Sequence, residues 1–352
     1  MGIEFFIWIT AIPLLIHLTF VHINLGTSVS SFIAKYVFGD VSLARKLATV
    51  MVSGEFVSGT LGTVLTVILA GIWTPLMNVA ANILYIPLLI ALIGIVLRLP
   101  SIGGYWYTLD RGGSLNFLFG ISMILGGFLI PFGFRYIFAF INYPMGLKTL
   151  NPLEGDIFEA LMNPLFPPLY VLTLGSVLMV GFAVSIPIIK RSGYWGALGR
   201  SFLLYALLAT LLFLIGNIWF IDLLSKFSGF MFSNMLSPTN PSFYTFLIMW
   251  ISMVMLLGMI VIELKGILRV NNLFYFIVPI IAMLSMEFSY GYSRFPYFVV
   301  TGDSGIDAAT FLNVSIAVGF SEVGGVFLAL MSMVVVSIVG VYYLIVRKYF
   351  EE

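Results

Sequence analysis

Ile16-His17-Leu18-Thr19-Phe20-Val21-His22-Ile23-Asn24-Leu25-Gly26 lies inside the first long apolar run of the chain and holds both of its histidines. An imidazole in hydrocarbon needs a hydrogen-bond partner or something to bind, so a titratable residue at this depth is a candidate functional residue. Two readings stand side by side: a haem or metal ligand, and an interhelical hydrogen bond. At 3.6 residues per turn the five-residue spacing sets His17 and His22 about 140° apart, so one unbroken helix cannot turn both to one ligand.

The surrounding composition decides the class. Of 352 residues 61% are hydrophobic and only 9% charged, whereas a soluble domain carries about a quarter charged residues. This is the composition of an integral membrane protein. Cysteine is absent, which removes disulfides, thiolate metal sites and cysteine nucleophiles. A net charge of +1 gives no reason to expect nucleic acid. Met1-Gly2-Ile3-Glu4 lacks the basic start of a signal peptide, and the first run is expected to stay as a helix.

Taking about 20 apolar residues per crossing, breaks at charged or Pro/Gly-rich points give nine segments. They run over 3–35, 47–73, 76–97, 115–143, 168–189, 195–223, 243–262, 273–298 and 311–346. With the N-terminus outside, the inner links and the C-terminus collect Lys35, Arg45, Lys46, Arg98, Arg111, Lys190, Arg191, Arg200, Lys265, Arg269, Arg347 and Lys348. Those are twelve of sixteen basic residues, leaving Arg135, Lys148, Lys226 and Arg294 toward the other side. The bias predicts that orientation. The outer links 144–167, 225–242 and 301–310 are too short for a soluble module, so residues 1–352 form a single polytopic membrane domain.

His17, His22, Glu55, Arg135, Glu287 and Glu322 all sit within spans. Each needs a partner, because a charge at the bilayer centre costs a few kcal/mol. Glu55 and Glu322 suit either a proton path or a buried hydrogen bond. Arg135 suits snorkelling or an anionic group such as a haem propionate, and Arg294 shares the second role. No phosphate loop, zinc-ligand pair or nucleophile elbow occurs. Gly112-Gly113 and Gly324-Gly325 read as helix ends or close helix approach.

The order of local patterns resembles subunit I of cytochrome bd-type quinol oxidases. His17-Leu18-Thr19-Phe20-Val21-His22-Ile23-Asn24-Leu25-Gly26 is similar to that family's first helix, where a histidine precedes a Phe-Val-Pro-Leu-Thr-Leu-Gly run. Asn142-Tyr143-Pro144-Met145-Gly146 resembles Gln-Asn-Pro-Val-Gly at the outer end of the fourth helix. Asn163-Pro164 with Tyr170-Val171-Leu172-Thr173 resembles the start of the fifth. Phe243-Tyr244-Thr245-Phe246-Leu247-Ile248-Met249 resembles the seventh, and Glu287 followed by Gly291, Arg294, Pro296 and Tyr297 resembles the end of the eighth, with about one extra turn between Glu and Arg.

The resemblance implies an all-α integral membrane protein of nine transmembrane helices, two four-helix bundles plus one peripheral helix. It implies haem b or haem d, with His17 and Glu287 as iron ligands, Met249 as a low-spin haem ligand and His22 as an alternative to His17. Arg135 and Arg294 would meet propionates. The departures are specific. Leu172 stands where the family has the low-spin haem histidine, and Leu247 where it has an arginine. Ile86-Pro87-Leu88-Leu89-Ile90 resembles the third helix, yet its two carboxylates fall on Ala91 and Leu99. The link 225–242 carries no Lys and Glu arranged like the quinol loop.

The expectation is therefore a divergent, subunit I-like paralogue paired with a larger subunit I homologue in a complex that oxidises quinol and reduces dioxygen. Two alternatives remain: a catalytic haem subunit fed by another donor, and a haem-free transporter or assembly scaffold.

Overall fold

The computed structural model describes residues 3–193, 195–312 and, beyond these, 325, 328, 331, 332, 334–336 and 338–340. Among the described residues, eight helices are long and apolar enough to cross a membrane. They are α1 (Ile3–Tyr36), α2 (Val41–Ile72), α4 (Tyr85–Thr108), α5 (Gly113–Asn142), α7 (Phe166–Arg191), α8 (Arg200–Phe227), α10 (Pro241–Leu264) and α11 (Asn272–Tyr292). The ninth expected segment, 311–346, lies mostly outside the described residues, as does Glu322.

Local chemistry sets the helix ends. Asp40 caps α2 by accepting from the Leu43 N–H at 2.8 Å, and Asn240 caps α10 in the same way ahead of Pro241. Helix α2 thus starts six residues before the expected 47, with Arg45 and Lys46 in its first turns.

The third span departs most from expectation. Residues 76–97 contain two elements, a short outer helix α3 (Thr74–Asn82) and the start of α4, which runs on through Arg98 to Thr108. Arg98 is therefore not in an inner link but buried within a span. Of the original twelve basic residues, nine others are described and remain at the inner end, while Arg347 and Lys348 lie outside the described residues.

Helices α1, α2, α4 and α5 form one four-helix bundle and α7, α8, α10 and α11 a second. They meet chiefly where α1 and α5 lie against α7. Helix α7 is the centre of the molecule, with 78% of its most apolar stretch buried.

At the outer end two small hairpins, β1 (Leu147–Leu150) with β2 (Leu153–Gly155) and β3 (Tyr297–Thr301) with β4 (Ser304–Asp307), sit among α3 and the short helices α6 (Ile157–Leu161), α9 (Gly229–Leu236) and α12 (Ala308–Phe311). Their hub is Trp73. It stacks on Phe298 at 4.7 Å, donates its indole N–H to Thr10 Oγ1 at 2.8 Å, and Phe298 in turn meets Phe311.

Candidate functional site

The histidines face different neighbours, as their angular separation requires. His17 turns to α2: the Ser58 carbonyl 2.8 Å from Nδ1 can only accept, so Nδ1 carries the proton and Nε2 is left with its lone pair. His22 turns to α7 and is sealed. Its Nδ1 donates to the Leu18 carbonyl at 2.7 Å and its Nε2 lies 2.9 Å from Ser176 Oγ.

Glu287 of α11 is bound through both oxygens by the Arg135 guanidinium of α5. The two side chains are 8% and 5% exposed. Burial of such a pair is tolerated because each charge neutralises the other in a medium where either alone would be expensive. The pair crosses from the first bundle to the second. His22, not His17, is the histidine within electrostatic reach of it.

Arg294 lies beyond the end of α11 and donates to Asn142 Oδ1 at 2.8 Å. Desolvation lowers it to about 10, with the Glu287 charge acting the other way, so it stays a cation at neutral pH. One level further into the second bundle Tyr290 donates to Asn217 at 2.7 Å.

A second polar group fills the first bundle. Arg98 donates to Glu55 Oε2 at 3.1 and 3.2 Å, to the Met123 carbonyl at 2.9 Å and to Asn24 Oδ1 at 3.2 Å, with Ser28 at 3.3 Å. Asn24 donates in turn to Ser58 Oγ at 2.8 Å, on the residue whose carbonyl holds His17. Glu55 is the ion-pair partner of Arg98 here.

Residue order alone hid Arg98, because it follows an apolar run long enough to be a complete span. The signal was Tyr105-Trp106-Tyr107, an aromatic belt that marks the interface seven to nine residues later.

The positions matched to the low-spin haem are closed. Leu172 and Met249 are both fully buried. A Cβ on Gly216 would come within 2.6 Å of the Leu172 backbone, and one on Gly175 within 2.4 Å of the Phe213 backbone, so α7 and α8 touch main chain to main chain. Gly26 of α1 and Gly181 of α7 meet equally closely. Leu247 is 41% exposed and points away from the bundle interior. Ala91 is buried and Leu99 half exposed.

These residues do not fit a haem held between His17 and Glu287. The carboxylate is spent on Arg135, His22 is bonded at both nitrogens, and His17, whose Nε2 keeps its lone pair, is turned to α2 rather than to α11. A cavity of about 280 Å³ between α1, α10 and α11 is lined by residues such as Thr19, Thr245, Leu284 and Phe288, and by none of the proposed ligands. Among the described residues no group of three or more His, Cys, Asp or Glu could hold a metal ion.

No protein-family model matches the sequence, and no curated protein is significantly similar to it. The fold is similar to a chain in the structure of bd oxidase from Geobacillus thermodenitrificans. The TM-score is 0.79 at 16% sequence identity, over 99% of this chain and 98% of that one. The likeness is one of architecture, carried along the whole length of both chains.

Proposed function

We propose that this chain is a subunit of a bd-like oxidase complex in the cell membrane, standing beside a larger, haem-bearing subunit I homologue as its structural counterpart. That complex would oxidise quinol and reduce dioxygen to water, with the redox chemistry on the larger subunit's haem b or haem d. This chain supplies a helical surface whose interior, among the described residues, is held by ion pairs and helix contacts. One combination supports the reading: an end-to-end likeness to a bd oxidase chain, with Glu287 and His22 engaged in protein contacts.

The test is purification of the full-length chain from its own membranes in mild detergent. A larger homologous chain should accompany it, and pyridine haemochrome spectra should assign all haem to that companion once the two are separated. A chain that purifies alone and oxidises quinol overturns the proposal.

A further inference from the structure

The inner ends of the two bundles treat their basic residues differently. In the first bundle Lys35 donates to Asn116 Oδ1 at 2.6 Å, Arg45 pairs with Asp110 at 2.5 Å, Lys46 reaches Ser192 at 3.1 Å and Arg111 lies against Tyr107. In the second bundle one cation is consumed. Lys190 Nζ sits 2.5 Å from Glu263 Oε1 and 3.0 Å from the Val270 carbonyl, with the rings of Trp195 and Tyr275 within 5 Å.

This clasp pins the end of α7 to the loop between α10 and α11. Four further cations stand around it, Arg191, Arg200, Lys265 and Arg269, all exposed and, among the described residues, without an ion-pair partner. The described carboxylates at this end are already engaged: Asp40 caps α2, Asp110 holds Arg45 and Glu263 holds Lys190. Between Lys265 and Arg269 the loop presents Ile267 and Leu268, which are 69% and 64% exposed.

Two apolar side chains flanked by two cations, at the level where helices leave the membrane, match a surface with phosphate above and acyl chains below. We infer that the inner rim of the second bundle, formed by Arg191, Arg200, Lys265 and Arg269 around Ile267 and Leu268, is a docking surface for anionic phospholipid. Each cation contributes attraction to the phosphodiester, and the apolar pair enters the acyl boundary. The inference rests on the orientation of the helices and is independent of the oxidase reading.

Native mass spectrometry of the full-length chain, with whatever partners it carries, measures the lipids retained from equimolar phosphatidylglycerol and phosphatidylcholine. The wild type should keep phosphatidylglycerol preferentially. Each single neutralisation should weaken that retention about fivefold. The combined Arg191→Gln, Arg200→Gln, Lys265→Gln and Arg269→Gln variant should lose the preference entirely. The charge-keeping set Arg191→Lys, Arg200→Lys, Lys265→Arg and Arg269→Lys should retain it, as should the outer-face control Lys148→Gln with Lys226→Gln. Unchanged preference in the neutral variant overturns the inference. So does loss of a protein partner from that variant with phosphatidylglycerol retention intact.

Discussion

Both bundles combine buried polar contacts with close backbone approach, as Gly94 against Gly126 in the first and Tyr290 to Asn217 in the second show, but they centre on different ones. At the centre of the first lies a polar hub: Arg98 gathers Glu55, Asn24, Ser28 and the Met123 carbonyl from three other helices. In the second, Gly175 and Gly216 let α7 and α8 touch main chain to main chain, with Leu172 against Gly216. Lipid tails are as apolar as leucine, so helices in a membrane gain little from hydrophobic burial and must associate through hydrogen bonds or tight packing. One chain uses both solutions, and the Arg135–Glu287 pair is where they meet.

That contrast is broken most strongly at the junction. Arg135→Ala should cost about 3–5 kcal/mol, because it strands a buried carboxylate. Thermal unfolding in detergent should show the loss, and the double variant Arg135→Met with Glu287→Leu should recover most of it. Within the first bundle, Glu55→Leu leaves Arg98 its carbonyl and amide partners, so the expected loss is smaller, about 2–3 kcal/mol by the same measurement.

In the second bundle Gly216→Leu should force α7 and α8 apart at a cost of about 1–3 kcal/mol, whereas the same change at Gly258, where no neighbouring atom lies within reach of a Cβ, should be near neutral. The smallest effect is expected from Met249→Leu. A volume-conserving change at a buried packing residue should cost under about 1.5 kcal/mol and leave the haem content of the purified complex unaltered. Loss of haem in that variant would return Met249 to a ligand's role.

The spans and their orientation were legible in the sequence because hydropathy and basic-residue bias are summed over many positions. The partners were not. Glu55 meets Arg98 from 43 residues away and Arg135 meets Glu287 from 152, and no local pattern encodes either distance. The angular argument on His17 and His22 held, since the two rings turn to α2 and α7. Their spacing could not say what each would face. Arg98 was misplaced for a related reason: a guanidinium terminates an apolar window by composition, while a helix tolerates it wherever a carboxylate waits on the neighbouring helix.

The outer hub at Trp73 joins residues from opposite ends of the chain's synthesis. Thr10 and Trp73 emerge early, whereas Phe298 and Phe311 arrive only after eight crossings have been made. The aromatic stack therefore cannot close before Phe311 has been made. Its completion reports that every preceding helix has been threaded, and until then an indole that ends fully enclosed stands open at the membrane rim.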